Sequence, residues 1–159
     1  MQKDMWQLAQ AGAQEELAIT TNTQPLMLIS DVAMYRAWVE LGGHPPSIVA
    51  GHSLGEYAAL VTAGALVFSD AVSLVHKRST LMQNAVPPGI GAMAAVLGLS
   101  DEDIQTACER AKVQNGGVAE AANYNAPGQV VIAGDKATVE KAIDEAKTLG
   151  AKRAMMLAM

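Results

Sequence analysis

The chain has 159 residues, a length at which folding buries about two-thirds of the surface that the unfolded form exposes. Half of its residues are apolar, 17% are charged and the formal net charge is −5, a balance that is typical of globular proteins and excludes an intrinsically disordered chain. No basic run suits nucleic acid, no apolar stretch reaches the roughly 18 residues of a membrane span, and the first residues lack a signal-peptide layout. We therefore expect a cytoplasmic protein of one domain or of two small, closely joined domains.

The first half of the sequence predicts helices around one short strand. A first helix is predicted from Thr23 as its cap to Gly42 as its stop, with Pro25 in the first turn and four apolar residues at helical spacing: Leu28, Val32, Tyr35 and Val39. Residues 47–50 (SIVA) predict a buried strand, because they are few and partly β-branched. Two more helices are predicted over residues 54–66 and from the cap Ser69 to the PPG sequence at 87–89.

From residue 92 onward the pattern predicts a compact series in the order β-α-β-β-α-β. Ser100 with Asp103, and Asp135, are helix start signals, and Gly150 is a stop signal. This order is that of the ferredoxin-like motif. We therefore expect an α/β chain in two parts, with an α/β lobe up to about residue 91 and a ferredoxin-like subdomain from there to the end. The predicted segments are strands at 92–99, 118–125, 129–134 and 151–159, and helices at 100–112 and 135–150.

The sequence GHSLG at residues 51–55 follows the predicted strand and opens a predicted helix. A G-x-S-x-G turn in this context strains the serine backbone and raises its hydroxyl above the sheet. Gly51 and Gly55 are expected to permit a close backbone approach at which a Cβ would collide. The amides at the start of the helix, that of Leu54 first, would stabilise an oxyanion beside the serine. We interpret Ser53 as a nucleophile, and the alternative is a glycine-rich turn that arises by chance.

A base for this serine is not identified among the three histidines. His52 is adjacent to Ser53, so its side chain points elsewhere and suits packing or hydrogen bonding. His44 lies in a loop, and His76 falls on the polar side of its predicted helix. Cys108 is the only cysteine, which excludes a disulfide, and we interpret it as a small buried thiol. The three histidines are not at ligand spacing with carboxylates, so we predict no metal, and we expect no cofactor.

Arg78 lies near the middle of the apolar side of its predicted helix. An arginine there keeps its charge and must find an anion or several acceptors. It either snorkels or meets a structural carboxylate, or it binds the carboxylate of a substrate through two parallel hydrogen bonds. Asn123 and Asn125 form a second polar cluster at a strand end, which turn formation before the Pro-Gly pair explains, with ligand contact as the alternative.

Four segments, taken in order, resemble the malonyl-CoA:acyl carrier protein transacylase family, the acyltransferases of fatty acid biosynthesis: residues 15–38, 50–66, 76–99 and 122–134. The resemblance implies that Ser53 takes a malonyl group from coenzyme A as an ester and passes it to the phosphopantetheine thiol of acyl carrier protein. Arg78 matches the arginine that holds the free malonate carboxylate, and Leu54 matches an oxyanion-hole amide. Asn123 matches a position near the pantetheine path. The implied fold is a partial α/β-hydrolase-like lobe over residues 1–91 and a ferredoxin-like subdomain over 92–159.

The chain also departs from the family that it resembles. Family members are about twice as long, and they have a Gly-Gln-Gly-Ser-Gln-like loop upstream and a general-base histidine downstream, neither of which has a counterpart here. We therefore expect an internal fragment that has little or no transacylase activity alone. Two other readings stay open. They are a serine hydrolase or thioesterase, and a non-catalytic module that holds acyl carrier protein.

Overall fold

A computed structural model describes residues 3–87 and 89–157 of the chain. These residues divide into two compact units between Ala85 and Val86, a few residues before the expected boundary at 91. Pro88, part of the predicted PPG stop, and the last two residues of the predicted C-terminal strand lie outside the described residues. Within the described ranges, no helix is both long and apolar enough to span a membrane.

The described part of the first unit is helical. α3 packs against α4 and α5, and the core between them is formed by six buried residues: Leu28, Val32, Leu54, Ala58, Ala71 and Val75. Two of the four apolar positions that predicted the first long helix, Leu28 and Val32, lie in this core, whereas Tyr35 is half-buried and Val39 is exposed. The helices are α1 Met5–Ala11, α2 Gln14–Leu17, α3 Thr20–Glu40, α4 Gly55–Thr62 and α5 Phe68–Gln83.

The start of α3 differs from the prediction. The helix begins at Thr20, so Thr23 and Pro25 lie inside it rather than at its cap and in its first turn. The hydroxyl of Thr23 donates to the carbonyl of Ile19 at 3.0 Å, because a threonine within a helix can bond back to the preceding turn instead of capping. The predicted end is confirmed, since Gly42 follows the C-cap with a φ of 87° that favours glycine.

The strand predicted at residues 47–50 is wrong, because this segment has no regular structure. Ile48 is 85% exposed. A strand needs a neighbour for its backbone hydrogen bonds and a surface for its apolar side chains. The described residues of the first unit include no second strand that could serve as that neighbour.

The two helices after residue 53 are confirmed with shifted ends. α4 ends at Thr62, just before Gly64 turns the chain with a φ of 71°. α5 begins at Phe68, so Ser69 lies in the first turn and is not the cap. The N-cap is Val67, whose side chain has no oxygen to accept a hydrogen bond. Within the helix, the backbone carbonyl of Ser69 accepts the hydroxyl of Ser73 at 3.0 Å.

The second unit is a four-stranded antiparallel sheet with two helices, in the element order that the sequence predicts. The strand order is β2-β3-β1-β4. Burial alternates along β1, and its buried residues pack with those of β3 and the two helices in one core. This unit and the helical unit give the chain its α/β character. The elements are β1 Gly91–Leu97, α6 Asp101–Asn115, β2 Ala119–Ala126, β3 Gln129–Asp135, α7 Lys136–Thr148 and β4 Arg153–Met156.

The signals at the ends of these helices are confirmed at all three positions. Ser100 is the N-cap of α6, and its hydroxyl accepts the amide of Asp103 at 3.1 Å and donates to the Asp103 carboxylate at 2.9 Å. Gly150 follows α7 with a φ of 101°. Asp135 is the N-cap of α7, but its carboxylate does not cap the helix. It accepts the amide of Val118 at 2.6 Å instead.

The interpretation of Cys108 as a small buried thiol is confirmed. The residue is 3% exposed within the core of the second unit. Burial raises the pKa of its thiol to about 11, since the thiolate loses its hydration.

This burial predicts a loss of stability at alkaline pH. Between the ordinary thiol pKa of 9.0 and about 11, the unfolded chain has lost the thiol proton while the folded chain retains it. Unfolding then releases a proton, so the free energy of unfolding falls as pH rises through this window. Urea titrations from pH 8 to 11 should show a shallower decline for Cys108→Ala than for the wild type. Parallel declines in the two proteins would contradict the account.

Candidate active site

Ser53 lies in a strained turn between residues 47–50, which have no regular structure, and α4. Its φ is 55°, a positive value that no other non-glycine residue among those described adopts. This conformation costs on the order of 1–2 kcal/mol for an L-residue. The amide of Gly55 donates to the carbonyl of His52 at 2.9 Å and closes the turn. The strained backbone that G-x-S-x-G predicts is therefore present, even though no strand precedes it.

The two glycines of the turn have different roles. A Cβ on Gly51 would lie 2.0 Å from the carbonyl carbon of Gly55 and 2.3 Å from the amide nitrogen of Glu56. The first turn of α4 thus passes too close for any side chain at position 51. A Cβ on Gly55 would meet nothing within 4 Å, because its position faces open space. The expectation of a close approach is right for Gly51 and wrong for Gly55.

The amide of Leu54, which follows Ser53 directly, has no hydrogen-bond acceptor among the described residues. Leu54 is the N-cap of α4, and its side chain is 7% exposed in the helical core, which fixes the peptide in place. The backbone hydrogen bonds of the turn use the amides of Gly55, Glu56 and Tyr57, and among the described residues none uses the amide of Leu54. Unpaired amides at the start of a helix favour negative charge.

Arg78 on α5 reaches the serine directly. Its NH2 nitrogen donates to the Oγ of Ser53 at 2.8 Å, and its NH1 nitrogen donates to the Oε1 of Gln24. The guanidinium carbon lies 5.9 Å from the centre of the Tyr57 ring. The salt bridges of the described residues do not include Arg78, so the structural carboxylate of one earlier reading is not found there. The structure thus brings Ser53, Leu54 and Arg78 together.

Gln24 is the residue of this cluster that the sequence reading missed. It is 6% exposed on α3, and its Nε2 donates to the Oγ1 of Thr20 at 2.8 Å. A signal was present in the sequence, because Gln24 stands four residues before Leu28 and so belongs to the same buried stripe of the helix. A polar residue on such a stripe needs hydrogen-bond partners, and Arg78 is one of them.

The histidines do not supply a base within the described residues. His44, His52 and His76 are all exposed, and no side-chain hydrogen bond joins any of them to Ser53. His52 contributes through its backbone carbonyl rather than through its ring. In residues 3–87 and 89–157, no group of three side chains of His, Cys, Asp or Glu is arranged so that it could hold a metal ion.

Asn123 lies on β2 in the second unit and is half-buried. It pairs with Val131 next to a shift in register. Asn125 sits at a second shift, between Tyr124 and Ala126, and is exposed. Both asparagines therefore lie within the strand, and the turn that was expected to explain them is made by the following Pro-Gly pair.

Comparison with known proteins identifies the family. Residues 3–158 match the model of the acyl transferase domain. The chain belongs to this family. The malonyl CoA-acyl carrier protein transacylase of Escherichia coli (strain K12) is 54% identical to this chain over 154 residues, which is 97% of the chain and 49% of the relative. The chain thus spans about half the length of the curated relatives it matches.

Solved structures of acyl transferases agree with the fold. An acyl-carrier-protein S-malonyltransferase from Burkholderia pseudomallei matches with a TM-score of 0.91 and 55% identity, over 99% of this chain and 50% of the other. A chain from the solved complex of a type II polyketide synthase acyl carrier protein with its malonyl-transacylase matches with a TM-score of 0.92 and 51% identity, over 98% of this chain and 50% of the other. The α/β fold with its small antiparallel sheet is therefore that of the malonyltransferase structures.

The geometry of the turn predicts opposite effects for two matched substitutions. Gly51→Ala forces the first turn of α4 to move, so the free energy of unfolding of the first unit should fall by more than about 2 kcal/mol. Gly55→Ala has room for its methyl group and removes a flexible residue from a helix, so it should be neutral or stabilise by up to about 1 kcal/mol. Urea unfolding measures both. Equal losses would show that the close approach at Gly51 is not what restricts the turn.

Proposed function

We propose that this acyl transferase chain carries the nucleophile and the carboxylate-binding residue of a malonyl-CoA:acyl carrier protein transacylase. The observation that carries the proposal is the 2.8 Å hydrogen bond from Arg78 to the Oγ of Ser53. It joins a strained serine to a cation that has no carboxylate partner in the described residues. A nucleophile beside an unpaired guanidinium suits an acyl group that bears its own carboxylate. The 54% identity to the malonyl CoA-acyl carrier protein transacylase of Escherichia coli supports a malonyl substrate.

The first half-reaction loads the serine. The Oγ of Ser53 attacks the thioester carbonyl of malonyl-CoA, and the C–S bond breaks. The serine proton passes to a general base and then to the departing sulfur, so coenzyme A leaves as a thiol and the malonyl group remains as an ester. The amide of Leu54 donates to the oxyanion that forms on the way.

The second half-reaction unloads the serine. The phosphopantetheine thiol of acyl carrier protein attacks the ester carbonyl, its proton passes to the base, and the C–O bond to Ser53 breaks. The base returns the proton to Oγ, and malonyl-acyl carrier protein leaves. We assign acyl carrier protein as the partner and Asn123 as a contact of the pantetheine arm. The solved complex of a related malonyl-transacylase with its carrier protein supports this partner class.

Arg78 selects the acyl group through donors that remain available. A guanidinium has five N–H groups, and the described hydrogen bonds engage one on each terminal nitrogen. The remaining N–H groups can hold the free malonate carboxylate, with the serine oxygen close to the thioester carbon. A neutral acyl group gains nothing from this charge.

The general base lies outside the described residues in this proposal. None of their histidine side chains hydrogen-bonds to Ser53, and a serine without a base retains only a small part of triad catalysis. We therefore expect the 159-residue chain, assayed alone, to transfer malonyl groups far more slowly than a full-length enzyme.

The fold and setting are proposed on the same basis. Residues 1–91 form part of an α/β-hydrolase-like lobe, which the strained serine at the start of α4 supports. Residues 92–159 form a ferredoxin-like subdomain, which the strand order β2-β3-β1-β4 and the two helices support. A cytoplasmic location suits the free, buried Cys108, which is compatible with a reducing compartment.

The nucleophile is tested by trapping the acyl-enzyme. For this purpose, the full-length hybrid is a transacylase in which this chain replaces the matching half of the Escherichia coli relative. Mass spectrometry of the hybrid with malonyl-CoA should show one malonyl ester on Ser53, and Ser53→Ala should show none. Rapid release of free malonate would favour a thioesterase. Binding of acyl carrier protein with no adduct would favour a non-catalytic module.

The role of Arg78 is tested by comparing malonyl with acetyl loading in the full-length hybrid. Arg78→Ala removes a charge-assisted pair of hydrogen bonds, so malonyl loading should fall by about 10- to 100-fold while acetyl loading changes much less. Lys77→Ala is the matched control, because it removes a positive charge from an exposed neighbour on the same helix. Equal losses for both acyl groups in Arg78→Ala would contradict the assignment.

A further inference from the structure

We propose that Gln24 is a positioning residue that orients the Arg78 guanidinium toward the acyl carboxylate without cancelling its charge. The proposal rests on the proposed function, since it assigns to Gln24 a share in the selectivity of the same site. It starts from a buried amide on α3 that makes hydrogen bonds at both of its ends.

The hydrogen bonds of Gln24 fix the orientation of its side-chain amide. Its Oε1 accepts from NH1 of Arg78, and its Nε2 donates to the Oγ1 of Thr20 at 2.8 Å and to the Sδ of Met82 at 3.4 Å. A rotation of the amide by half a turn would place two donors against the guanidinium. Because the residue is only 6% exposed, lost contacts could not be replaced by water.

Arg78 has little else to hold it in place. Its side chain is half-buried, and besides Gln24 its described polar contact is the Oγ of Ser53, which becomes a weaker hydrogen-bond acceptor when the reaction converts it to an ester oxygen. The ring of Tyr57, at 5.9 Å from the guanidinium carbon, limits one face but does not fix a direction. When Ser53 becomes an ester, Gln24 is the stronger hydrogen-bond acceptor of the two. The anchored NH1 then keeps NH2 beside the acyl group.

The absence of charge on Gln24 matters for carboxylate binding as much as its hydrogen bonds do. A glutamate at this position would accept the same hydrogen bond more strongly, but it would pair with Arg78 and weaken its attraction for a second carboxylate. An amide accepts the hydrogen bond and leaves the positive charge uncompensated. An uncharged acceptor at position 24 therefore leaves the positive charge of Arg78 free to attract the carboxylate of the acyl group.

The test measures malonyl and acetyl loading in the full-length hybrid. Gln24→Met keeps the length of the side chain and removes the acceptor, so malonyl kcat/KM should fall about tenfold, mainly through KM, and acetyl kcat/KM less than about twofold. Gln24→Glu should give a malonyl-selective loss of at least that size. Gln83→Met, an exposed glutamine at the end of α5, is the matched control and should change neither.

A double-mutant cycle separates positioning from packing. In an Arg78→Ala background, Gln24→Met should cause no further malonyl-selective loss, because the group that it positions is gone. A loss of the same size in both backgrounds, or equal losses for malonyl and acetyl, would overturn the proposal. If Gln24→Met does not fold, Thr20→Val removes the partner of Nε2 and should give a smaller loss of the same selectivity.

Failure of this inference can be told from failure of the proposed function. If Arg78→Ala loses malonyl and acetyl loading equally, the assignment of the carboxylate site is wrong. If Arg78→Ala is malonyl-selective and neither Gln24 variant is, only the role of Gln24 is wrong.

Discussion

The hydrogen bond between Arg78 and Ser53 is the contact on which the candidate site depends, because it joins two elements that are 25 residues apart in the chain. It forms only if α5 is held at a fixed distance from the turn that opens α4. Leu28 and Val75 are completely buried between the helices that set this distance. The packing of three helices therefore places a charged group against a hydroxyl, and the chemistry follows from that placement.

The strain at Ser53 is maintained by its surroundings. A φ of 55° is unfavourable for serine, and the side chains of Leu54 and Ala58 in the helical core oppose any relaxation of the turn. Because Gly51 has no side chain, its backbone packs directly against the first turn of α4. A rigid, strained turn holds the Oγ still, which is what a nucleophile needs if its geometry is to match a transition state.

The sequence predicts the second unit well and the first unit less well, for a physical reason. In the second unit, alternation, caps and the glycine stops are local signals that agree with one another, and α7 begins after Asp135 as predicted although its carboxylate accepts the Val118 amide and does not cap the helix. Residues 47–50 carry a strand-like pattern, but a strand also needs a partner, which a local pattern cannot provide. Ser53 and Arg78 were found because G-x-S-x-G and a charge on an apolar stripe are unusual. Gln24 was missed because a single amide on a helix looks ordinary until its partner, 54 residues away, is known.

The central claim is that Ser53 and Arg78 bind two ends of one acyl group. The most direct measurement is a crystal structure of the full-length hybrid after reaction with malonyl-CoA. The account predicts a malonyl ester on the Oγ of Ser53, with its free carboxylate accepting hydrogen bonds from the Arg78 guanidinium while NH1 still donates to Gln24. A serine ester whose carboxylate lies in solvent or against another cation, with Arg78 turned away, would contradict it.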